Sequence, residues 1–127
     1  MPKQEPTIIG RFHEVVIDCV NPHRLAEFWR SVLGGDIDIA HETPNWVALL
    51  DAHGIRRLAF QRVPESKTVK NRVHMDIEVT DLAAVTDSAL VLGATLQGDV
   101  IHEPPGMFQV LLDPEGNEFC LVAGYPR

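Results

Sequence analysis

The segment RVHMDIEVTDL, residues 72–82, decides the fold. Apolar and polar side chains alternate along it, so that one face is apolar and the other carries His74, Asp76 and Glu78. This period of two predicts a β-strand that is buried on one side. Asp81 follows the strand and has the side chain needed to cap a helix.

Downstream of this strand the sequence predicts one helix and three more strands. Apolar residues recur at helical spacing from Leu82 onward, and Gly93 ends the helix. Strand patterns then occupy residues 95–102, 107–112 and 117–122. The sequence DPEG at 113–116 supplies the turn before the last strand.

The first half of the chain has the same order of elements. A strand pattern at residues 12–20 precedes Asn21-Pro22, which is typical of a helix cap and first turn, and Gly34-Gly35 ends that helix. Three strand candidates follow, separated in part by a turn at 51–54, and they lie at residues 36–42, 45–50 and 56–63.

Aligning Asn21 with Asp81 brings the two halves into register as an internal repeat. The repeat predicts an α+β fold in which one domain contains two tandem βαβββ modules. Their approximate bounds are residues 11–63 and 72–123, joined by a polar linker at 64–71. A ferredoxin-like domain is the alternative, because that fold has two strands rather than three between its helices.

Composition restricts the classes of function. The chain has 127 residues, 45% hydrophobic and 23% charged, which is the balance of a globular domain. Its net charge of -7 argues against nucleic acid and anionic membranes as partners. Residues 1–10 lack the apolar region of a secretory signal. Cys19 and Cys120 lie in apolar runs outside any CxxC pair, so we expect buried free thiols and a cytoplasmic protein.

Four segments resemble the glyoxalase-like and bleomycin-resistance branch of the vicinal oxygen chelate superfamily. They are VVIDCVNP with the helix after it, LAFQRVP, RVHMDIEVTDL and DPEGNEFCLV. The resemblance implies that the two modules form an incomplete eight-stranded barrel around a pocket. It also implies that metal-dependent members bind their metal through four ligands, two on the first and two on the last strands of the modules.

Carried over to this chain, those four ligand positions fall on Glu14, Gln61, His74 and Cys120. The family usually has Glu where Gln61 and Cys120 stand. An amide and a thiol are poor ligands for hard metals, although zinc accepts thiolate. The leading interpretation is therefore a pocket with no metal or a weakly bound one, and a divalent metal is the alternative.

Each candidate residue has a role of its own. We interpret His74 as an acid–base group and Glu14 as its partner, while a purely structural, hydrogen-bonded histidine is the alternative. A strand slip of one residue would replace Glu14 with His13. Gln61, Cys120, Trp46 and Phe108 are expected to contact the ligand, with Cys120 a buried thiol rather than a nucleophile.

The predicted function is a glyoxalase-like protein that binds a small molecule in its pocket, with lyase or isomerase chemistry if it is an enzyme. One alternative is a binding protein that sequesters a drug, as bleomycin-resistance proteins do, and another is a metal-dependent lyase or dioxygenase. The resemblance and the open sheet edges also predict a homodimer. No phosphate-binding loop or nucleotide motif is present in the sequence.

Overall fold

The structure, a computed structural model, describes residues 8–126. In its first module a four-stranded sheet carries one helix. The elements are β1 (Val15–Cys19), α1 (Pro22–Leu33), β2 (Asp36–Ile37), β3 (Trp46–Ala52) and β4 (Ile55–Arg62). The strand order is β1-β4-β3-β2, with β1 and β4 parallel and the other neighbours antiparallel.

The second module repeats this arrangement with a second sheet and helix. Its elements are β5 (Met75–Glu78), α2 (Leu82–Leu92), β6 (Thr95–Leu96), β7 (Ile101–Glu103), β8 (Gly106–Leu112) and β9 (Glu118–Ala123). The order is β5-β9-β8-β6, and β7 also pairs with β8. The predicted α+β fold with two βαβββ modules is confirmed, and the two sheets do not close into a barrel within residues 8–126.

Two strand predictions need correction. The candidate at 36–42 is a two-residue strand followed by a 3-10 helix, Ile39–His41. It still pairs with β3, so three strands separate the helices and the ferredoxin-like alternative is wrong. The candidate at 95–102 is split into β6 and β7, because Gly98 takes a φ of 80° and its carbonyl accepts a hydrogen bond from the Gln109 side chain.

Both helices begin and end where the sequence predicts. The Asn21 side chain accepts a hydrogen bond from Arg24 N at 3.1 Å, and Asp81 accepts one from Ala84 N at 3.1 Å. Each side chain thereby satisfies a backbone donor that the first turn of a helix leaves unpaired. Gly34 and Gly93 provide the C-caps. These are the only two α-helices among residues 8–126, and no helix in this range combines the length and the apolar character needed to cross a membrane.

Aromatic packing joins the modules into one core. Phe28 and Trp29 on α1 are buried, and their rings contact Phe119 on β9 with centroid separations of 6.0 and 4.9 Å. The Trp29 Nε1 also donates to the buried Asp113 carboxylate at 3.2 Å. Phe28 and Trp29 on the helix of the first module therefore link it to the last strand and the preceding turn of the second module.

Candidate functional site

Three side chains of different chemistry meet on the second sheet. β5 and β9 are parallel neighbours, and Asp76 lies directly opposite Cys120. His74 immediately precedes β5 and, two residues before Asp76, points to the same face. One ligand-type atom from each of these residues lies within 4.8 Å of the others. His74 Nε2 is 3.4 Å from Asp76 Oδ1.

This cluster combines a buried member with two accessible ones. Cys120 is 9% exposed, whereas the side chains of His74 and Asp76 are 48% and 58% exposed. The imidazole nitrogen can therefore meet a ligand from solvent. A carboxylate beside an imidazole can orient the ring and fix its tautomer.

Neither cysteine has the environment of an activated nucleophile. Burial raises the pKa of the Cys120 thiol, the Asp76 carboxylate raises it further, and Lys70 opposes the effect only in part. Burial also raises the pKa of Cys19 to about 12, with Glu115 and Asp113 adding to the shift. Thiolate is the nucleophilic form of cysteine, so both side chains are unreactive thiols near neutral pH.

A cavity of about 360 Å³ lies between the two modules, next to this cluster. Its walls combine β1, the linker and the second module, and the residues that line it include Val16, Asp18, Lys67, Asn71, His74 and Glu118. Most of its surface is apolar, with a few charged groups placed around it. A concave apolar site with convergent polar groups is typical of small-molecule binding.

Glu118 holds the linker against this cavity. Its carboxylate accepts hydrogen bonds from Lys67 Nζ at 3.0 Å and from the backbone N–H of Asn71 at 2.9 Å. Burial acts to raise the pKa of Glu118, but the hydrogen bonds from Asn71 and Lys67 outweigh it and leave the pKa below its usual value. The wall formed by residues 64–71 thus depends on one ionised carboxylate.

Glu14 immediately precedes β1 and forms an ion pair with Arg57 on β4. Its Oε1 accepts a hydrogen bond from Arg57 Nε at 3.1 Å, and its side chain is 15% exposed. The side chain of His13 is 67% exposed, so the strand is not shifted by one residue. Among residues 8–126, the group of potential metal ligands that contains His74 does not include Glu14.

Gln61 also lies away from the position that the family pattern requires. It is opposite Asp18 in the pairing of β1 with β4, whereas the counterpart of Cys120 is Ala59, opposite Val16. An alanine cannot bind a metal. The four-ligand arrangement implied by the resemblance therefore does not fit the residues that this fold presents.

The two aromatic residues expected at the ligand lie on the two sheets, one in each module. Trp46 is opposite Gln61 on β3, and Phe108 is opposite Val122 on β8; both are partly exposed. Neither is among the described residues that line the 360 Å³ cavity. Two residues that do line it, Glu118 and Lys67, were not identified from the sequence, because their contact joins the linker to a strand 51 positions away.

Comparison with known families supports the assignment that the fold suggests. Residues 14–122 match the sequence model described as the glyoxalase-like domain. The chain belongs to the glyoxalase-like domain family. The predicted resemblance is confirmed. No curated protein sequence matches the chain.

Solved structures share this fold at low sequence identity. A glyoxalase/bleomycin resistance protein/dioxygenase family enzyme from Burkholderia phytofirmans PsJN superposes with a TM-score of 0.73 at 20% identity, covering 88% of this chain and 97% of its own. The fosfomycin resistance protein FosX from Mesorhizobium loti superposes with a TM-score of 0.68 at 15% identity, and the match covers 94% of this chain and 95% of FosX. The bleomycin-binding protein of Streptomyces verticillus, solved with copper(II)-bleomycin, superposes with a TM-score of 0.60 at 22% identity. That match covers 94% of this chain and 100% of the other.

Proposed function

We propose that this protein binds a small organic molecule in the cavity between its modules and contacts it through His74. One observation carries the proposal: His74 both lines the cavity and lies 3.4 Å from the Asp76 carboxylate. A histidine oriented by a carboxylate at the wall of an apolar cavity can donate or accept a proton.

The chemistry that this pair would support is proton transfer, as in a lyase or isomerase. The partner of His74 in this scheme is Asp76 rather than the predicted Glu14, since Glu14 is engaged by Arg57. Asp76 would hold the ring in place while His74 exchanges a proton with the ligand. Cys120 would remain a neutral thiol beneath them.

The test compares two histidine–aspartate pairs in the same chain. His41 is 3.0 Å from Asp38 on the exposed 3-10 helix, away from the cavity, and so provides a matched control for His74. A fragment library is screened by ligand-observed NMR, and hits are measured with wild type, His74→Gln and His41→Gln. We expect about tenfold weaker binding or more in His74→Gln alone. Equal affinity in all three proteins contradicts the proposal.

Sequestration without reaction is the second candidate. The acidic residues Asp18 and Glu65 line the cavity, in addition to Glu118, which is paired with Lys67. Together with the net charge of -7, they favour a cationic ligand. The similarity to a bleomycin-binding protein points the same way. A sequestering protein should return a bound cationic compound chemically intact and bind it less tightly as salt rises. Conversion of the compound by wild type, lost in His74→Gln, favours an enzyme.

We also propose a homodimer in the cytoplasm. β1 and β5 are edge strands, and exposed apolar residues accompany both of them: Val16 lies within β1 and Val73 lies two residues before β5. Uncovered sheet edges are commonly paired or shielded. Both cysteines are free, which is the state expected in a reducing compartment. Sedimentation equilibrium should give twice the mass of one chain, and the mass of one chain contradicts the dimer.

A further inference from the structure

We propose that His74, Asp76 and Cys120 form a binding site for a zinc-type divalent metal within the second module alone. This site differs from the four-ligand, two-module arrangement, because the first module contributes no ligand and Asp76 takes part. The inference goes beyond the proposed function, since it needs no organic ligand and is measured without one.

The strand register brings the three ligand atoms together. Asp76 and Cys120 face each other across β5 and β9, and His74 precedes Asp76 by two residues on the same face. The atoms lie within 4.8 Å of one another. Zinc bonds of about 2.0 Å to nitrogen and about 2.3 Å to sulfur place tetrahedral ligand atoms about 3.5 Å apart. Adjustment of side-chain rotamers can close this difference.

The exposure of the three side chains allows that adjustment. Cys120 is buried and fixed by the sheet, whereas His74 and Asp76 are about half exposed. The sulfur would thus provide a rigid anchor, and the imidazole and carboxylate would turn toward the metal. Among residues 8–126 no other group of three histidine, cysteine or acidic side chains meets at such distances.

The donor set selects a borderline-soft metal. One sulfur, one nitrogen and one oxygen suit zinc or cobalt, while calcium and magnesium prefer sites built from oxygen. Three protein ligands leave a fourth position for water. On binding, the Cys120 S–H bond breaks, its proton leaves to solvent, and the thiolate donates to the metal with no change in oxidation state.

Metal binding and proton transfer by His74 exclude each other. A ring nitrogen bound to zinc cannot exchange a proton with a ligand, so zinc should inhibit any reaction that uses His74 as acid or base. Ligand screening is therefore carried out with a chelator present. Failure of the metal site then leaves the proposed function untouched, and failure of ligand binding leaves the metal site untouched.

Cobalt(II) titration of untagged, reduced, metal-free protein tests the site. A thiolate bound to cobalt gives a strong near-ultraviolet charge-transfer band that imidazole and carboxylate ligands do not give. We expect this band to saturate at one cobalt per chain and to be displaced by zinc. It should disappear in Cys120→Ser and persist in Cys19→Ser, because Cys19 is the other buried free thiol and lies outside the cluster.

Substitution of the exposed members keeps the test independent of folding. Asp76→Asn and His74→Gln should each weaken zinc binding by about tenfold or more, measured by competition with a chromophoric chelator. His41→Gln should leave it unchanged. Absence of the band in wild type, its persistence in Cys120→Ser, its loss in Cys19→Ser, or unaltered zinc affinity in both Asp76→Asn and His74→Gln overturns the proposal.

Discussion

At the scale of single residues, one buried carboxylate, that of Asp113, organises the turn before the last strand. Asp113 accepts hydrogen bonds from Trp29 Nε1, from the backbone N–H of Glu115 and from both nitrogens of Asn117. Burial raises its pKa, and these hydrogen bonds act in the opposite direction. The aspartate of the DPEG turn therefore closes the turn and ties it to the helix of the other module.

Removal of the Asp113 carboxylate should be strongly destabilising. Asp113→Ala leaves several buried donors without a partner, so we expect a loss of about 2–4 kcal/mol in the free energy of unfolding. Asp87→Ala, on the exposed face of α2, should change it by less than about 0.5 kcal/mol. Urea unfolding measures both variants. Similar small losses in both would show that the turn does not depend on this carboxylate.

Glu118 should give the protein an acid-sensitive contribution to stability. Its pKa is lowered in the folded state, so the folded protein favours the ionised carboxylate. The resulting stabilisation is present above the unfolded-state pKa of about 4.3 and is lost as pH falls through the folded-state pKa. Glu118→Gln should thus be less stable than wild type at neutral pH. This difference should shrink in acid, and a difference independent of pH contradicts the assignment.

At the scale of elements, the two adjacent glycines that follow α1 are each required, but for different structural reasons. Gly34 and Gly35 both have positive φ, 75° and 93°. A Cβ on Gly35 would lie 2.6 Å from the carbonyl oxygen of Leu50, whereas one on Gly34 would meet no atom within 4 Å. Gly34 is thus required for its backbone conformation, and Gly35 also for the close approach of β3.

Alanine substitutions separate these two effects. Gly34→Ala should cost about 1–3 kcal/mol from the backbone alone, because a φ of 75° with a ψ of -161° is a conformation almost restricted to glycine. Gly35→Ala should cost at least about 2 kcal/mol more, since the β2–β3 pairing must shift to relieve the overlap. Thermal and urea unfolding of both variants measure the difference between these two losses in the free energy of unfolding. Equal losses in the free energy of unfolding would mean that β3 can shift to accommodate the added methyl group at little cost.

In this fold the sequence predicts where the helices begin and end better than where the strands do. Asn21, Asp81 and the C-terminal glycines act within one turn of their helices, so local patterns were sufficient. The break between β6 and β7 depends on a hydrogen bond from Gln109, eleven residues from Gly98. This hydrogen bond forms only when β8 pairs with β6 and β7. The local sequence around Gly98 therefore does not predict it.

At the scale of the whole molecule, the turn residues of the second module also fix the position of the first. The Glu115 carboxylate accepts hydrogen bonds from the backbone N–H groups of Val20 and Asn21, each at 2.9 Å. These donors lie where β1 leads into α1. Carboxylates are stabilised at helix N-termini, and here the contact joins the two modules beside the cavity.

Loss of the Glu115 hydrogen bonds should weaken the contact between the two modules where β1 leads into α1. Glu115→Ala should reduce the free energy of unfolding by about 1–3 kcal/mol and speed amide hydrogen exchange at residues 20–21. Glu27→Ala provides the control, because Glu27 is an exposed residue of the same helix. Unchanged exchange at the junction in Glu115→Ala would show that aromatic packing alone holds the modules together.

The site could be predicted from the sequence only in part. The repeat identified His74, since strand alternation and its distance from Asp81 are both local properties. The positions of Gln61 and Ala59 depend on the register between β1 and β4, which pairs residues more than 40 apart in the chain. Likewise, the Arg57 that pairs with Glu14 lies 43 positions away, so the loss of Glu14 as a partner for His74 appears only in the folded protein.

The central claim is that the cavity between the modules, with His74 in its wall, is the binding site. Two-dimensional ¹⁵N–¹H NMR with the best fragment hit, in the presence of chelator, tests it most directly. We predict that the largest chemical-shift changes fall on Val16, Asn71 and His74. The largest changes at the groove between α2 and β7, around Leu82 and Val100, would contradict the claim.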